Sequence, residues 1–190
     1  MDPVGICNLA LGWVGAKRIT ALDDPSTTAE LCSANFDAVR DAVLEARAWT
    51  FATQRFTIAA DGAPPAFGYP YRHLLPAGVL RVLACDDGSD AWDLMWVREG
   101  QYVLDELSGE LFVRAIMRVE DVAVWSPGFC QAVAYRLASV LVVPLSENRS
   151  LQADLVQLYL KALKDAAALD GSQGRSEVLR PSSRFRAARG

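Results

Sequence analysis

The clearest helical pattern in the chain runs from residue 27 to residue 46. Its apolar side chains recur at alternating spacings of four and three residues, on one face of an α-helix: Cys32, Phe36, Val39, Val43 and Ala46. The charged side chains fall on the opposite face: Asp37, Arg40, Asp41 and Glu45. Thr27-x-x-Glu30 predicts a capping box at the helix start. Such a helix must pack its apolar face against a core.

Three further helices are predicted from the signals at their ends. Asp2-Pro3 and Ser126-Pro127 each combine an N-cap side chain with a proline at the first helical position. Gly15 ends the first of these helices and Pro144 ends the second. A last helix begins near Asn148–Ser150 and ends at Gly171. Its predicted buried stripe comprises Leu151, Leu155, Leu158, Ala162 and Leu169.

The middle of the chain has the composition of a β-sheet rather than of a helix. Gly62–Pro76 is rich in Gly, Pro and Tyr and is predicted to be irregular. The strand candidates that follow are Val79–Cys85, Trp92–Val97, Tyr102–Leu104 and Glu110–Ile116. Glu99-Gly100 and Ser108-Gly109 supply turns. We predict one small antiparallel sheet over Leu74–Met117, with a meander formed by its last three strands.

Together these segments predict an α+β fold that is mainly α. Residues 1–60 and 120–170 form a discontinuous helical domain, a four-helix bundle around one core. Residues 61–119 form an inserted antiparallel β-sheet region, and residues 171–190 form an extended, flexible C-terminal tail. A chain of 190 residues is long enough to bury a core of its own.

The charge of the chain is unevenly distributed. The net charge is −4, yet the residues from Gly171 onward carry five arginines and one glutamate, a net charge of +4. The preceding residues therefore carry −8. The overall charge gives no case for nucleic-acid binding, which usually requires a strongly basic domain. The arginine-rich tail is either a solvated terminus or a segment that orders on an acidic surface or on DNA phosphate.

The cysteines and the N-terminus predict a soluble protein made in a reducing cytoplasm. The four cysteines are widely spaced and include no C-x-x-C pair, which indicates neither zinc nor a redox dithiol: Cys7, Cys32, Cys85 and Cys130. Met1–Val4 lacks the basic start of a signal peptide. No apolar run is expected to be long enough to span a bilayer, so no membrane partner is predicted.

A search for catalytic or metal-binding patterns yields no candidate. His73 is the only histidine, which excludes a multi-histidine metal site, and its predicted role is structural or at the surface. No G-x-S-x-G element, P-loop or G-x-G-x-x-G is present. The acidic clusters Asp23-Asp24 and Asp86–Asp90 are predicted to be turns rather than calcium loops. We therefore predict no catalytic, cofactor-binding or metal-binding residue.

The aromatic residues near residue 50 allow two interpretations. With the arginines around them, Trp49, Phe51 and Phe56 could form a surface on which bases stack. Alternatively, they fasten the end of a helix to its core, and we favour this second interpretation. Trp92 and Trp96 are spaced for the same side of a strand, which predicts one packed face of the sheet.

Several short motifs occur in a fixed order: Ile6–Gly12 (ICNLALG), Ile19–Asp24 (ITALDD) and Ala48–Ala52 (AWTFA). They resemble the N-terminal half of the tail tubular protein A family, the head-to-tail adaptors of short-tailed bacteriophages and related prophages. Leu75–Ala77 and Leu80–Val82 look like the central strand entry of that family, and Phe129–Leu145 looks like its third helix. The resemblance covers most of residues 3–165 and rests on the order and spacing of the motifs.

The resemblance implies a structural virion protein rather than an enzyme. The chain would be made in the host bacterial cytoplasm and would form a dodecameric ring at the head-tail junction, between the portal protein and the tail nozzle or tail tube protein. Genomic DNA would pass through the lumen without sequence-specific binding. An acidic body is compatible with this role, because like charges along the channel wall would let DNA slide.

Two features depart from the family pattern. Gly78-Val79 stands where Asp-Cys is expected, a change confined to a local turn. The arginine-rich end is less typical, and we hypothesise that it docks on the portal. The candidate portal-binding residues are Arg175, Arg180, Arg184, Phe185, Arg186 and Arg189.

Two other classes of function stay open at this point. One is a different phage head-completion or assembly factor that does not attach to a nozzle. The other is a small hydrolase with an unrecognised site. Ring formation separates the adaptor and the assembly factor from the hydrolase, and binding to a nozzle protein separates the adaptor from the assembly factor.

Overall fold

The computed structural model describes residues 1–88 and 94–172. This part of the chain is a mixed α/β protein of four helices and two small antiparallel sheets, with 49% helix and 21% strand, so helix predominates as predicted. The helices are α1 (Pro3–Val14), α2 (Thr27–Ala46), α3 (Pro127–Ser146) and α4 (Arg149–Ser172). The strands are β1 (Thr53–Ala59), β2 (Tyr71–Leu74), β3 (Val79–Asp86), β4 (Val97–Glu99), β5 (Tyr102–Asp105) and β6 (Glu110–Met117).

The chain divides into two compact units. The helical unit comprises Met1–Phe51 and the chain from Val119 to the end of α4, and the β unit comprises Ala52–Arg118. A boundary after residue 60, as predicted, would leave β1 with the helices, whereas β1 pairs along its whole length with β6. Of the predicted C-terminal tail, residues 173–190 lie outside the described part of the chain.

The predicted caps of α1 and α3 are confirmed. The Asp2 carboxylate accepts the N–H of Gly5 at 2.9 Å, and Gly15 ends α1 in the left-handed conformation, with φ 80. The Ser126 hydroxyl accepts the N–H of Phe129 at 3.2 Å. These contacts satisfy N–H groups that have no partner within the helix.

The N-terminus of α2 differs from the predicted capping box. Its N-cap is Ser26, whose hydroxyl accepts the N–H of Ala29 at 3.3 Å. The predicted capping box is therefore wrong: the N-cap lies one residue before Thr27, and Ala29, three residues after Ser26, has no side chain that completes a box. Ser26 and Thr27 both have the hydroxyl that a cap needs, so the local sequence does not separate them.

The central helix of the helical unit is α3, against which α1, α2 and α4 each pack. Ten of its residues are buried, among them Leu137 and Leu141. Pro144 lies inside the last turn of α3 instead of ending the helix, and Glu147 follows with a φ of 54. The apolar composition of α3 therefore reflects its position at the centre of this unit.

Two predicted helix faces need correction. Arg40 is buried rather than exposed, and its guanidinium reaches Asp37 at 3.0 Å and Asp41 at 2.8 Å. In α4, Leu158 and Leu169 are exposed, with relative accessibilities of 42% and 67%. Leu155 is buried as predicted, and the other residues that α4 buries are Leu163, Ala166 and Asp170. Because a helix has 3.6 residues per turn, the apolar residues of α4 can be grouped into two overlapping stripes. The stripe that packs against α3 is the buried one.

The β unit contains two three-stranded sheets rather than the single predicted one. The first has the order β1-β6-β3 and the second β2-β5-β4, and all pairs are antiparallel. The predicted meander of the last three strands is wrong, because two of those strands, β5 and β6, belong to different sheets. Two strands were missed: β1, and β2 within the segment predicted to be irregular. The predicted turn at Glu99-Gly100 is confirmed, with Gly100 at φ 59 between β4 and β5.

The strand predicted at Trp92–Val97 is also displaced. Leu94–Trp96 have no strand conformation, β4 begins at Val97, and Trp92 lies outside the described residues. Trp96 is half-buried and packs against the apolar core of the β unit. The buried members of this core are Leu75, Val79, Cys85, Val103, Leu111, Val113 and Ala115.

Candidate functional site

The six residues proposed to bind the portal lie outside the described residues. They are Arg175, Arg180, Arg184, Phe185, Arg186 and Arg189. Their binding role stays a prediction. The other candidates from the sequence, which are His73, the acidic clusters and the aromatic residues, fall wholly or partly within the described residues.

His73 is completely buried in the β unit beside an equally buried acid. Its Nε2 lies 3.2 Å from Oδ1 of Asp105, and its Nδ1 lies 3.4 Å from the carbonyl oxygen of Ile58. Oδ1 of Asp105 also accepts the N–H of Leu107 at 2.7 Å. The pair thus connects β1, β2 and β5, and the role of His73 is structural, as predicted.

A cysteine thiol belongs to the same buried region. Cys85 is 3% exposed, and burial, with the nearby carboxylates of Asp105 and Asp86, raises the pKa of its thiol to about 12. A thiol is a good nucleophile only as the thiolate, which this environment disfavours. Cys85, His73 and Asp105 therefore form a buried polar cluster that is closed to a substrate.

The remaining cysteines are free and buried. The thiols of Cys7 in α1 and Cys32 in α2 hydrogen-bond to each other. This bond and burial raise the pKa of Cys7 well above its usual range, while the bond lowers the pKa of Cys32. Burial is also the main cause that raises the pKa of Cys130.

The two acidic clusters form turns in the parts that the structure describes. The Asp24 carboxylate accepts the backbone N–H groups of Thr20 and Ala21 at 2.7 and 3.1 Å, and these bonds lower the pKa of Asp24. The Asp86 carboxylate accepts the N–H of Gly88 at 2.8 Å, whereas residues 89 and 90 lie outside the described range. Within residues 1–88 and 94–172, no group of three or more His, Cys, Asp or Glu side chains could hold a metal ion.

The aromatic side chains near residue 50 pack inside the protein rather than forming a stacking surface. Trp49 is fully buried, and its indole N–H donates to the carbonyl oxygen of Val43 at 2.9 Å. The Phe129 ring meets Trp49 and Phe51 edge-on, at 5.0 Å between centroids in each case. Phe56 packs against the core of the β unit. The helix-fastening interpretation is therefore confirmed for Trp49 and Phe51, whereas Phe56 belongs to β1 and fastens no helix end.

The three N-terminal motifs that carry the family resemblance form specific contacts. Asn8, in the first motif, donates from its side chain to the carbonyl oxygen of Ile19, in the second, at 2.9 Å, and accepts the N–H of Ile19 at 2.8 Å. In the third motif, Thr50 donates its N–H and its hydroxyl to the Asp170 carboxylate, both at 2.7 Å. The polar residues of these motifs therefore hold separate parts of the helical unit together.

Large apolar side chains are exposed on both units. On the helical unit, Leu158 and Leu169 lie on one flank of α4, with the half-buried Ala162 between them. On the β unit, Phe67 is 89% exposed and Met95 is 71% exposed. Asp165 is exposed between Leu158 and Leu169 on this side of α4, so the exposed leucines are separate side chains rather than one continuous apolar patch.

One helix meets the length and hydropathy expected of a membrane span. It is α3, with a mean hydropathy of 1.5, although no apolar run of that length was expected. More than half of the apolar window, 56%, is buried inside the protein. The central helix of a folded core passes the same test of length and composition, so this is weak support for a membrane role.

Comparison with known proteins places the chain in no family: no protein-family model matches it, and no curated protein matches it.

Proposed function

We propose that this protein is a structural head-to-tail adaptor of a bacteriophage or prophage. It would form a dodecameric ring between the portal and the tail nozzle, with DNA passing through the lumen. The helices would form a four-helix bundle around α3, with the β unit inserted and the basic segment extending from the end of α4.

One observation supports this proposal most directly. Polar residues of the motifs that carry the resemblance form hydrogen bonds to distant parts of the chain. Asn8 in α1 bonds to Ile19, in the segment between α1 and α2, and Thr50 bonds to Asp170 near the end of α4. A chance resemblance between short peptides gives no reason for their residues to meet in the fold. The contacts therefore favour a shared fold, and the adaptor role follows by analogy with that family.

The two exposed leucines of α4 are also compatible with an assembly subunit. Leu158 and Leu169 are separated by three helical turns on one side of the helix. Their burial in a neighbouring subunit would contribute roughly 1.5–3 kcal/mol for each fully buried side chain. A hydrolase built on the single histidine has less support, because His73 is buried with its neighbours.

Light scattering of the protein, alone and mixed with the portal ring of the same genome, tests the proposal. We expect the portal peak to gain the mass of many bound copies. A chain that lacks residues 172–190 should bind the portal more weakly, because five arginines are lost. If the truncated chain binds the portal as strongly as the full-length chain, only the proposed docking role of the tail is contradicted. If the full-length chain does not bind the portal, the adaptor function is contradicted.

A further inference from the structure

A cleft of about 380 Å³ lies against one face of the β2-β5-β4 sheet. Part of its lining comes from the sheet, with Tyr102 and Leu104 in β5 and with Glu99 in β4, directly opposite Tyr102. Side chains two residues apart in a strand share a face, so Tyr102 and Leu104 point to the same side. The segment Pro65–Tyr69, which precedes β2, forms the other part of the lining. We call this site the aromatic cleft.

Three aromatic side chains line the aromatic cleft, and one of them is almost entirely open to solvent. Phe67 is 89% exposed and is followed by Gly68, whose φ is 90. Tyr69 and Tyr102 are half-buried. Leu104, beneath the rings, is only 6% exposed. The cleft therefore offers apolar area that the side chain of a bound segment can cover.

Two charged side chains line the aromatic cleft, Arg72 and Glu99. Arg72 is already paired, because its Nη2 and Nε lie 2.8 and 2.9 Å from Oδ2 of Asp61, and its guanidinium lies over the Tyr102 ring at 4.6 Å from the centroid. Glu99 is exposed and has no ion pair within residues 1–88 and 94–172. Its neighbour Arg98 donates instead to three backbone carbonyl oxygens. The cleft therefore favours a cationic group beside an apolar one.

The chain itself contains a segment of this chemistry after α4. Residues 173–190 carry five arginines and one glutamate, and Phe185 stands between Arg184 and Arg186. Eighteen residues can extend to about 60 Å, so the segment can reach surfaces far from the end of α4. Because the segment is tethered, its effective concentration at a site within reach is on the order of millimolar. A contact that would be weak between separate molecules is therefore sufficient.

We propose that residues 173–190 occupy the aromatic cleft of their own chain. Phe185 would pack against Phe67 and the two tyrosines, and an arginine beside it would pair with Glu99. A guanidinium suits both partners, because it pairs with carboxylates and stacks on aromatic rings. An anionic ligand such as DNA phosphate is disfavoured, because the unpaired charge of the cleft is negative. This contact does not depend on the adaptor function; in an adaptor, the cleft and the portal would compete for the same segment.

Limited trypsin digestion of the full-length protein, with mass spectrometry of the released C-terminal peptides, tests this contact. Trypsin cleaves after arginine, so cleavage after Arg184 and Arg186 reports on the segment itself. The rate follows the fraction of molecules in which the segment is free. The double substitution F67A/E99K removes a ring and reverses the charge of the cleft at two exposed positions. It should raise the rate of cleavage after Arg184 and Arg186 on the order of tenfold.

The matched control is M95A/E106K, which makes the same kinds of change at exposed positions of the β unit outside the aromatic cleft. It should be cleaved as slowly as the wild type. Equal rates for the wild type and F67A/E99K would overturn the inference, and so would an equal acceleration in the control. Protection that disappears on dilution would overturn the assignment to the same chain. The portal is absent from this experiment, so a full-length chain that does not bind the portal contradicts the adaptor function alone.

Discussion

At the residue scale, His73 and Asp105 form a buried polar pair in the β unit. Both side chains are fully buried, and Oδ2 of Asp105 has no hydrogen-bond partner among the described residues. The carboxylate depends on His73 and on the N–H of Leu107 for its polar contacts. Removal of the imidazole would leave a buried acid with one remaining donor, a situation that is costly in a protein interior.

We expect His73→Phe to lower the free energy of unfolding by about 3 kcal/mol. The double substitution H73F/D105L should recover most of this loss, because it removes the buried carboxyl group as well as its partner. Urea unfolding of the two variants and of the wild type measures the difference. An unchanged midpoint for H73F would contradict the dependence of Asp105 on His73.

The thiol of Cys85 provides a second test at the residue scale. Because its pKa is raised to about 12, the thiol stays protonated well above neutral pH, and its side chain is also buried. We expect a thiol-specific reagent to leave Cys85 unmodified in the native protein at mildly alkaline pH and to modify it in denaturant. Peptide mapping by mass spectrometry gives the result for each cysteine. Rapid native labelling of Cys85 would show that the cluster around His73 is open.

At the scale of elements, a carboxylate near the end of α4 is hydrogen-bonded to the segment that follows α2. Asp170 is buried and accepts two hydrogen bonds from Thr50, in the short 3-10 turn Thr50–Ala52 that follows α2. Thr50 precedes Phe51, the last residue before the chain enters the β unit. This contact joins residues 120 positions apart in the chain.

Asp170→Ala should therefore destabilise the helical unit by about 2 kcal/mol, the usual effect of losing hydrogen bonds to a charged group. Thr50→Val, which removes only the hydroxyl bond, should cost less, and the double variant should cost less than the sum of the two. Thermal unfolding followed by circular dichroism measures all three. Additive losses would mean that the two residues do not interact in solution.

The sequence predicted elements best where their signals are local. The Asp2-Pro3 and Ser126-Pro127 caps and the Gly100 turn each depend on a few adjacent residues, and the structure confirms them. Strand β1 was missed because its pairing is distant, with Thr53 opposite Ile116. No local pattern identifies that partner.

Side-chain environments were predicted less well than elements. Arg40 was assigned to an exposed face by periodicity, yet its two carboxylate partners in the same helix make burial acceptable. The buried pair of His73 and Asp105 was missed for a related reason. The two residues come from separate segments, and the pairing of β2 with β5 brings them together.

At the scale of the whole molecule, large apolar side chains are exposed on both units. The helical unit exposes Leu158 and Leu169 on α4, and the β unit exposes Phe67 and Met95. The proposed ring would bury side chains of this kind in the contacts between its subunits.

The most direct test of the adaptor proposal is the mass of the complex that the protein forms with its own portal ring, measured by native mass spectrometry. The proposal predicts a single dominant species that carries a dodecamer of this chain on each portal ring. A portal ring with no bound copies, beside a monomer of unchanged mass, would contradict it.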